Sequence, residues 1–539
     1  MRSASFANVG QLLRINLHDD WLKITLWVVG LVAVIAAAAA KFGDLYGTEA
    51  AMKAIVETLR TPSMVAMFGP FFGTEPYRSA MIYGSEMTVF MGMFSAMMNI
   101  HIAVGATRAQ EDRGTVELVL SRSTGRQSPL LAAILELAAV NLIAGVLESL
   151  GLMAASVPGS DASGDWLFGL SLAAFGMMFG TFTLLIAQLA SNARGTTMVS
   201  YLLLAALYVL RMVTDVQRPQ WTRWTVYGWI ELTKPYVGND WMPVLWMAAV
   251  CVLMLLVTVP LASVKDLGAG LIPARAGRGT ASMLLRGPMS LLVRLERVSA
   301  VIWILGMFVL GASYGSIFGT VGDLASSSGV LGNFLADTSK AAGIHAIVLS
   351  LSGTLTSIFA VVVSIPAIFV ILRLNADEGK GYLEMLHAKR PSRRHLSLVF
   401  LIFAAFIGTV CLAAAVLGLG LVGNQAMDQP IALSTYMRGF LGFWPAVMVV
   451  CAMAALLSGC APRFQKVIWI VPVYGFISLY LAGLMNLPKW TRRLSPYGWV
   501  NSVPAGTVDW TTFSWMTGLS LALCVIAIEC YRRRDLVLG

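Results

Sequence analysis

The stretch EDRGTVELVLSRSTGR at residues 111–126 lies between two long apolar runs, and it returns in altered form as EGKGYLEMLHAKRPSR at residues 378–393. The two stretches are 267 positions apart, and both are charged and helix-forming. The pairs related by this shift are Glu111 and Glu378, Arg113 and Lys380, Gly114 and Gly381, and Glu117 and Glu384. Matched charged stretches in an apolar chain predict an internal duplication.

The composition places the chain in a membrane. Of its 539 residues 57% are hydrophobic and only 12% are charged, whereas soluble domains carry about 25% charged residues. The net charge of +10 is attributed to loops held on the cytoplasmic side, and no nucleic-acid partner is expected. The six cysteines lie in or beside apolar runs without metal-binding spacing, so they are predicted to be core residues.

Twelve runs are long and apolar enough to cross a bilayer as helices, which takes about 20 residues each. The sequence therefore predicts an all-α polytopic membrane protein. The predicted spans lie near residues 22–40, 85–107, 129–155, 166–190, 197–214, 243–264, 300–319, 345–372, 396–422, 436–460, 466–486 and 513–531.

The distribution of Lys and Arg sets the predicted orientation. With the N-terminus inside, 25 of these 38 residues fall in inside segments, 12 fall in outside segments, and Arg211 falls within a span. Since positive residues favour the cytoplasmic side, both termini are predicted to be cytoplasmic. The expected location is a bacterial plasma membrane.

Each half holds six predicted spans, so the two halves form a parallel repeat. A second match supports this: VYGWIELTKPYVGNDW at 226–241 and PYGWVNSVPAGTVDW at 496–510 share Tyr-Gly-Trp and Asp-Trp. The predicted parts are a first half at 1–264 with an interfacial elbow helix at 8–21 and an external hairpin at 215–242, a cytoplasmic linker with a second elbow helix at 265–299, and a second half at 300–539 with an external hairpin at 487–512.

Each repeated stretch has the features of a short docking helix. Gly114 and Gly381 are predicted to break the chain where it leaves a span. After Gly114 the apolar residues Val116, Val119 and Leu120 share one helix face. Arg113 stands four residues before Glu117, and Lys380 four before Glu384, so each pair is predicted to meet across one turn.

This layout resembles the type-2 ABC exporter permeases, whose members have an elbow helix, six spans and a short coupling helix between spans 2 and 3. The first copy, QEDRGTVELVLSRSTGR, is close to the coupling-helix pattern, and the second, DEGKGYLEMLHAKRPSR, is looser because Tyr382 replaces the usual Thr. Two fused halves resemble the actinobacterial branch that exports polyketide antibiotics and other drugs. The resemblance implies ATPase-coupling roles for Glu111, Arg113, Gly114, Thr115, Glu117, Glu378, Lys380, Gly381 and Glu384.

The resemblance also implies partners. The chain has no phosphate-cradling G-x-x-x-x-G-K-[ST] motif, so it is expected to be a transport subunit rather than an enzyme. Two copies of a separate ATPase subunit would then bind Mg-ATP, and no cofactor or metal is expected in this chain. Membrane lipids and an amphipathic drug, polyketide or lipid-like molecule are the remaining expected partners.

In that class the substrate path runs between the halves, mainly along spans 1, 2 and 5 of each. Thioether and aromatic side chains suit adaptable contact with bulky apolar ligands. Lipid contact or core packing is the simpler interpretation of any single one. The predicted path residues are Met91, Phe94, Met98, Tyr201, Tyr208, Tyr474 and Tyr480.

Ionisable residues inside spans are costly and call for a role. Glu136 and Glu148 lie in the third span and Arg211 in the fifth. Glu148 and Arg211 are predicted to form a buried pair, with substrate contact as the alternative.

Two other classes of function remain open. A proton-driven secondary drug transporter with twelve spans would use Glu136 and Glu148 as a proton relay, but it does not explain the paired charged stretches. A lipid-modifying enzyme or assembly scaffold would need a catalytic cluster, and the five histidines are scattered.

Overall fold

The computed structural model describes residues 6–272, 280, 283, 285–316, 318, 344–383, 392–427, 430–481, 489–500 and 503–534. Within these residues the chain is helical and holds no β-strand. It divides into two compact units, Met1–Gly277 and Arg278–Gly539. The boundary falls inside the segment that the sequence predicted to be a linker.

The first unit holds ten helices. Among the residues that the structure describes, six of these helices are long and four are short, and 3₁₀ turns at Pro219–Trp224 and Glu231–Thr233 lie between the last two long helices. The helices are α1 (Val9–Leu45), α2 (Glu49–Leu59), α3 (Pro62–Phe68), α4 (Ser79–Ala106), α5 (Arg108–Asp112), α6 (Thr115–Leu120), α7 (Ser128–Ala155), α8 (Ala162–Leu189), α9 (Ala193–Gln217) and α10 (Met242–Val264).

The second unit is also helical where it is described. Its helices are α11 (Pro288–Gly315), α12 (Ile344–Glu378), α13 (Arg393–Ala426), α14 (Leu433–Cys460), α15 (Ile470–Phe476), α16 (Lys489–Arg492) and α17 (Trp510–Arg533). In the first unit α4 and α7 both pack on α8, and in the second α12 and α17 both pack on α14.

Eleven described helices are long and apolar enough to cross a membrane, which confirms an all-α polytopic membrane protein. The predicted span at 466–486 differs from the others. It is a 3₁₀ segment at Pro462–Trp469, the seven-residue α15 and a π segment at Ile477–Leu481, and residues 482–488 lie outside the described part. The count of twelve spans therefore stays a prediction.

The segments predicted to be elbow helices run without a break into the span that follows. The amphipathic start and the first span form one continuous 37-residue helix, α1, and α11 likewise runs unbroken from Pro288. The sequence gives the reason, because residues 11–29 contain neither Gly nor Pro and so nothing interrupts the hydrogen-bond ladder.

Close packing of α7 on α8 depends on two glycines that face each other. A Cβ on Gly169 would lie 2.4 Å from the carbonyl oxygen of Gly145 and 2.3 Å from Oγ of Ser149. Small residues let membrane helices approach closely, so this contact brings the Glu148 region of α7 against the middle of the unit.

Two of the six cysteines form a disulfide, which corrects the prediction that all six are core residues. Cys460 ends α14 and Cys530 lies in the last turns of α17, and the structure joins them. The sequence offered no signal, since the two residues are 70 positions apart and share no motif. Cys251, Cys411, Cys451 and Cys524 are free.

The disulfide predicts a labelling result. If the chain is purified without reductant, denatured and alkylated, four cysteines should react, and all six should react after reduction. Mass spectrometry should place the two additional labels on Cys460 and Cys530. Six labels before reduction would contradict the bond, and a Cys451→Ser variant, which removes a free thiol, should lower both counts by one.

Candidate functional site

Both repeated stretches turn at their glycines, as predicted. Gly114 has φ 73° and Gly381 has φ 72°, in the left-handed region that favours glycine. Gly114 separates α5 from α6, and Oγ1 of Thr115 donates to the carbonyl oxygen of Gln110 across the break, at 2.8 Å. The short helix α6 is therefore set at a fixed angle to the helix before it.

The predicted ion pair between Arg113 and Glu117 does not form. The left-handed turn at Gly114 stands between the two residues, so they do not share one continuous helix face. Both side chains are exposed, and neither makes an ion pair with any described residue. The corresponding Lys380 is described, but Glu384 lies outside the described residues.

The apolar face of α6 also points differently from the expectation. Val116 is buried, and Val119 and Leu120 are half-buried against the unit itself. Leu118 projects outward with 72% of its surface exposed. The outward face of α6 thus presents Leu118 beside Glu117, a combination of one apolar side chain and one charge.

The side chain of Glu111 is held in place by two ion pairs. Its carboxylate accepts from Nη1 of Arg108 at 2.6 Å and from Nζ of Lys265 at 2.8 Å. Lys265 directly follows α10 and is buried, and that burial lowers its pKa while Glu111 partly offsets the effect. The ion pair therefore ties the end of α4 and α5 to the end of α10.

Arg108 is a residue that sequence reasoning missed. Its side chain is fully buried and donates to the carbonyl oxygens of Ser191 at 2.6 Å, Gly268 at 2.8 Å and Ala269 at 3.0 Å. These acceptors belong to the loops after α8 and α10. A cation at the end of an apolar run was the available signal, but its backbone acceptors leave no pattern in the sequence.

A matching set of contacts occurs in each unit. In the first, Arg126 donates to the carbonyl oxygen of Lys265 at 2.8 Å. In the second, Glu378 pairs with Arg534, and Arg393 donates to the carbonyl oxygen of Arg534 at 2.8 Å. Each set contains the acidic residue that begins the repeated stretch, the cation that follows the last span of the unit, and the arginine that ends the repeated stretch. We call such a set a clasp. The clasps are Glu111, Lys265 and Arg126 in the first unit and Glu378, Arg534 and Arg393 in the second.

The repeated Tyr-Gly-Trp segments make matching contacts at the other end of the units. Nε1 of Trp229 donates to the carbonyl oxygen of Arg223 at 2.8 Å, and Nε1 of Trp499 donates to that of Arg493 at 2.6 Å. The tyrosine two positions before each Trp is buried and hydrogen-bonded within its own unit. The repeated residues thus hold each hairpin in place.

The predicted path residues do not gather in one place. Met91 and Met98 are buried inside the first unit at 5% and 0% exposure, because α4 is covered on most of its circumference, whereas Phe94 is 39% exposed. Of the tyrosines, Tyr201 bonds with Nδ1 of His101 at 2.9 Å and Tyr208 donates to the carbonyl oxygen of Met67 at 3.1 Å.

In the second unit, the hydroxyl of Tyr474 donates to the carbonyl oxygen of Thr491 at 2.8 Å. The side chain of Tyr480 lies outside the described part of the structure. Among the predicted path residues whose side chains the structure describes, Phe94 is therefore the one that is exposed.

The predicted pair of Glu148 with Arg211 is wrong. Arg211 pairs instead with Asp215, four residues on in α9, at 3.3 Å, and with Glu231 of the hairpin at 3.2 Å. The sequence shows Asp215 four residues after Arg211, at a spacing that allows an ion pair. It does not show that the hairpin brings Glu231 next to Arg211. Oε2 of Glu148 is buried without a hydrogen-bond partner among the described residues, and Glu136 is also buried.

The Arg211 cluster holds the segment between the first two spans. Nη2 of Arg211 donates to the carbonyl oxygen of Ala66 in α3 at 2.5 Å. Glu231 is 6% exposed, and burial, with Asp215 adding to the effect, raises its pKa well above the usual carboxyl value. The cluster therefore buries two acids with one guanidinium.

The described helices define a multi-pass membrane protein. Residues 285–532 match the family described as the C-terminal domain of the multidrug efflux system permease Rv1217c. The chain is also 29% identical, over 544 residues, to the multidrug efflux system permease protein Rv1217c of Mycobacterium tuberculosis. That alignment covers 99% of this chain and 96% of the relative. The resemblance to exporter permeases is thereby confirmed.

Substitutions of Glu111 and Lys265, the ion pair in the clasp of the first unit, should have unequal effects on stability. Glu111→Gln should lower the free energy of unfolding by about 3 kcal/mol, since it leaves the buried ammonium of Lys265 without its counter-charge. Lys265→Met should cost less, because Arg108 still pairs with Glu111. Thermal unfolding in lipid nanodiscs and hydrogen exchange of the α6 amides measure both.

The control for this prediction is Lys53→Met, which breaks the exposed ion pair with Glu49 and should change stability by under about 1 kcal/mol. If Glu111→Gln behaves like that control and leaves the hydrogen exchange of the α6 amides unchanged, the clasp does not hold the first repeated stretch in place.

Proposed function

We propose that the chain is the permease subunit of an ATP-driven ABC exporter with the type-2 exporter fold. Two copies of a separate ATPase subunit would bind Mg-ATP and dock on the two repeated stretches. The chain would reside in a bacterial plasma membrane with both termini in the cytoplasm, and closure of the ATPase dimer would drive alternating access. The observation that carries this proposal is that α6 exposes Leu118 and Glu117 beside the clasp, whose Lys265 is buried.

The contacts around α6 supply a route for mechanical coupling. Oδ2 of Asp112 accepts the backbone N–H of Ala193 at 2.7 Å, which links α5 to the start of α9. Arg108 and Lys265 link the same segment to the loop after α8 and to the end of α10. A force on Leu118 or Glu117 would therefore reach three long helices through short polar contacts.

The cargo proposed here is an amphipathic drug, polyketide antibiotic or lipid-like molecule. The similar mycobacterial protein is named a multidrug efflux system permease, and the open face of α4 carries Phe94 and partly exposed methionines. Aromatic rings and thioethers adapt to differently shaped apolar ligands, which suits a substrate range wider than one compound.

Proton-driven drug transport is the second candidate. It is favoured by one observation, the buried carboxylates of Glu136 and Glu148, of which Oε2 of Glu148 lacks a hydrogen-bond partner among the described residues. Intramembrane acids of this kind serve proton relays in transporters. Depletion of ATP should stop export in the first case, and collapse of the proton gradient should stop it in the second.

Docking of the ATPase predicts a sharp effect of one substitution. Leu118→Asp should reduce co-purification of the ATPase subunit at least about tenfold and abolish export, because a carboxylate would be buried in the contact without a partner. Co-expression, affinity capture and export from cells measure this. Glu117→Ala combined with Glu384→Ala should weaken the same complex.

The matched control is Trp224→Asp. Trp224 is 78% exposed but lies beyond the far end of α9, so the same added charge should leave the complex intact. An ATPase complex that survives Leu118→Asp and the double Glu variant would refute the assignment of the coupling stretches.

A further inference from the structure

Three guanidinium groups share one carboxylate in the second unit, where α13 begins and α17 ends. Nη2 of Arg394, in the first turn of α13, donates to Oε2 of Glu529 at 3.1 Å. Nε of Arg533 donates to Oε1 of the same carboxylate at 2.7 Å, and Arg532 donates to that oxygen as well. Three positive charges and one negative charge leave this group of side chains with a net positive charge.

Most N–H groups of the three arginines remain available to a partner outside the chain. A guanidinium has five N–H donors, and among the described residues each of the three donates to Glu529 alone. The side chains are also open to the surroundings, with Arg394 56% exposed, Arg532 43% and Arg533 74%. An anion could therefore reach all three.

The clasp does not require these charges. The three arginines stand directly beside clasp residues of the second unit. At the matching places in the first unit, Arg126 is followed by Gln127, and Lys265 is preceded by Ser263 and Val264. The first clasp forms without a positive charge at any of these three positions. The additional arginines of the second unit therefore need another explanation.

An apolar stripe leads from the Arg394–Glu529 ion pair along the membrane-spanning part of both helices. Its members stand four and eight residues from the ion pair on each helix, and all are exposed. They are Leu398 and Ile402 of α13 and Val525 and Leu521 of α17. Because α13 and α17 pack together and the ion pair joins the start of one to the end of the other, the two sets lie at matching depths.

This combination suits a ligand that has an anionic head and an apolar chain. Arginines at the ends of membrane-spanning helices lie at the level of the lipid headgroups, and basic sites between such helices bind anionic headgroups. The planar fork of a guanidinium also matches the oxygens of a phosphate. A headgroup that carries its own ammonium gains less from the cluster, because the net positive charge repels that ammonium.

We propose that this surface binds one anionic phospholipid, with the phosphate among Arg394, Arg532 and Arg533 and an acyl chain along the apolar stripe. The lipid would hold the start of α13 to the end of α17, directly beside the second clasp. Glu529 occupies part of the same place, so the phosphate of the lipid has to compete with its carboxylate.

The test is native mass spectrometry of the full chain, purified in detergent and stripped of lipid, because this method resolves each bound lipid molecule. The probes are dioleoylphosphatidylglycerol and dioleoylphosphatidylcholine, which share their acyl chains. The first phosphatidylglycerol should bind with a Kd at least about tenfold lower than the first phosphatidylcholine, since three arginines attract its anionic headgroup. Equal affinities would overturn the proposal.

Two single substitutions should act in opposite directions. Arg533→Gln should weaken phosphatidylglycerol several-fold, because one of the three guanidinium groups is lost. Glu529→Gln should strengthen phosphatidylglycerol several-fold, because the competing carboxylate is removed. If the ion pairs served only to hold the helices together, Glu529→Gln would not improve binding, and that result would contradict the site.

The matched control is Arg463→Gln. Arg463 is exposed, makes no ion pair with another described residue, and follows the end of α14, which the disulfide places beside the end of α17. This variant should bind phosphatidylglycerol as the original chain does. A loss as large as that of Arg533→Gln would show only a general attraction of positive charge for the lipid and would refute a defined site.

Inorganic phosphate separates the two sources of a phosphate group. Added in excess over the lipid, it should not displace phosphatidylglycerol, because it lacks the chain that lies along the apolar stripe. Displacement would assign the three arginines to a free anion instead of a lipid. None of these measurements needs the ATPase subunit, so they leave the docking on Leu118 to its own experiment.

Discussion

A buried ammonium must have a counter-charge, and the first unit satisfies this requirement by bringing Glu111 to Lys265. That contact joins the start of the repeated stretch to the end of α10, two points 154 residues apart in sequence. Removing one partner of such a pair costs more free energy than the intact pair contributes to stability. The pair therefore mainly constrains the geometry of the unit. The position of α6 and of its exposed Leu118 follows from that constraint.

The fold could be predicted from the sequence where local rules decide it. Gly114 and Gly381 were predicted to turn the chain because charged residues surround them at the end of an apolar run, and both have positive φ. The eleven described spans followed from the length and hydropathy of each run. The continuity of the elbow segment with its span also has a local reason, since without Gly or Pro an amphipathic start continues into the span.

The site was harder to predict because its partners are distant in the chain and often belong to the backbone. Arg108 binds carbonyl oxygens of Ser191 and Gly268, and a carbonyl has no residue identity for a pattern to detect. Arg211 was assigned to Glu148 from depth alone, while its actual partner Glu231 arrives on a hairpin. Met98 was assigned to the path from composition, which does not report the side of a helix that neighbours cover.

Equivalent positions in the two units are held by different chemical contacts. Asn375 stands where the first unit has Arg108, and it contacts Ser458 as Arg108 contacts Ser191, but an amide offers two donors where a guanidinium offers five. The disulfide between Cys460 and Cys530 lies beside this weaker position, two residues after Ser458 and four before Arg534. A covalent link between α14 and α17 therefore supplies in the second unit the connection that buried charge supplies in the first. The two sets of contacts therefore occupy matching positions in the two units, while the chemistry that fixes each one differs.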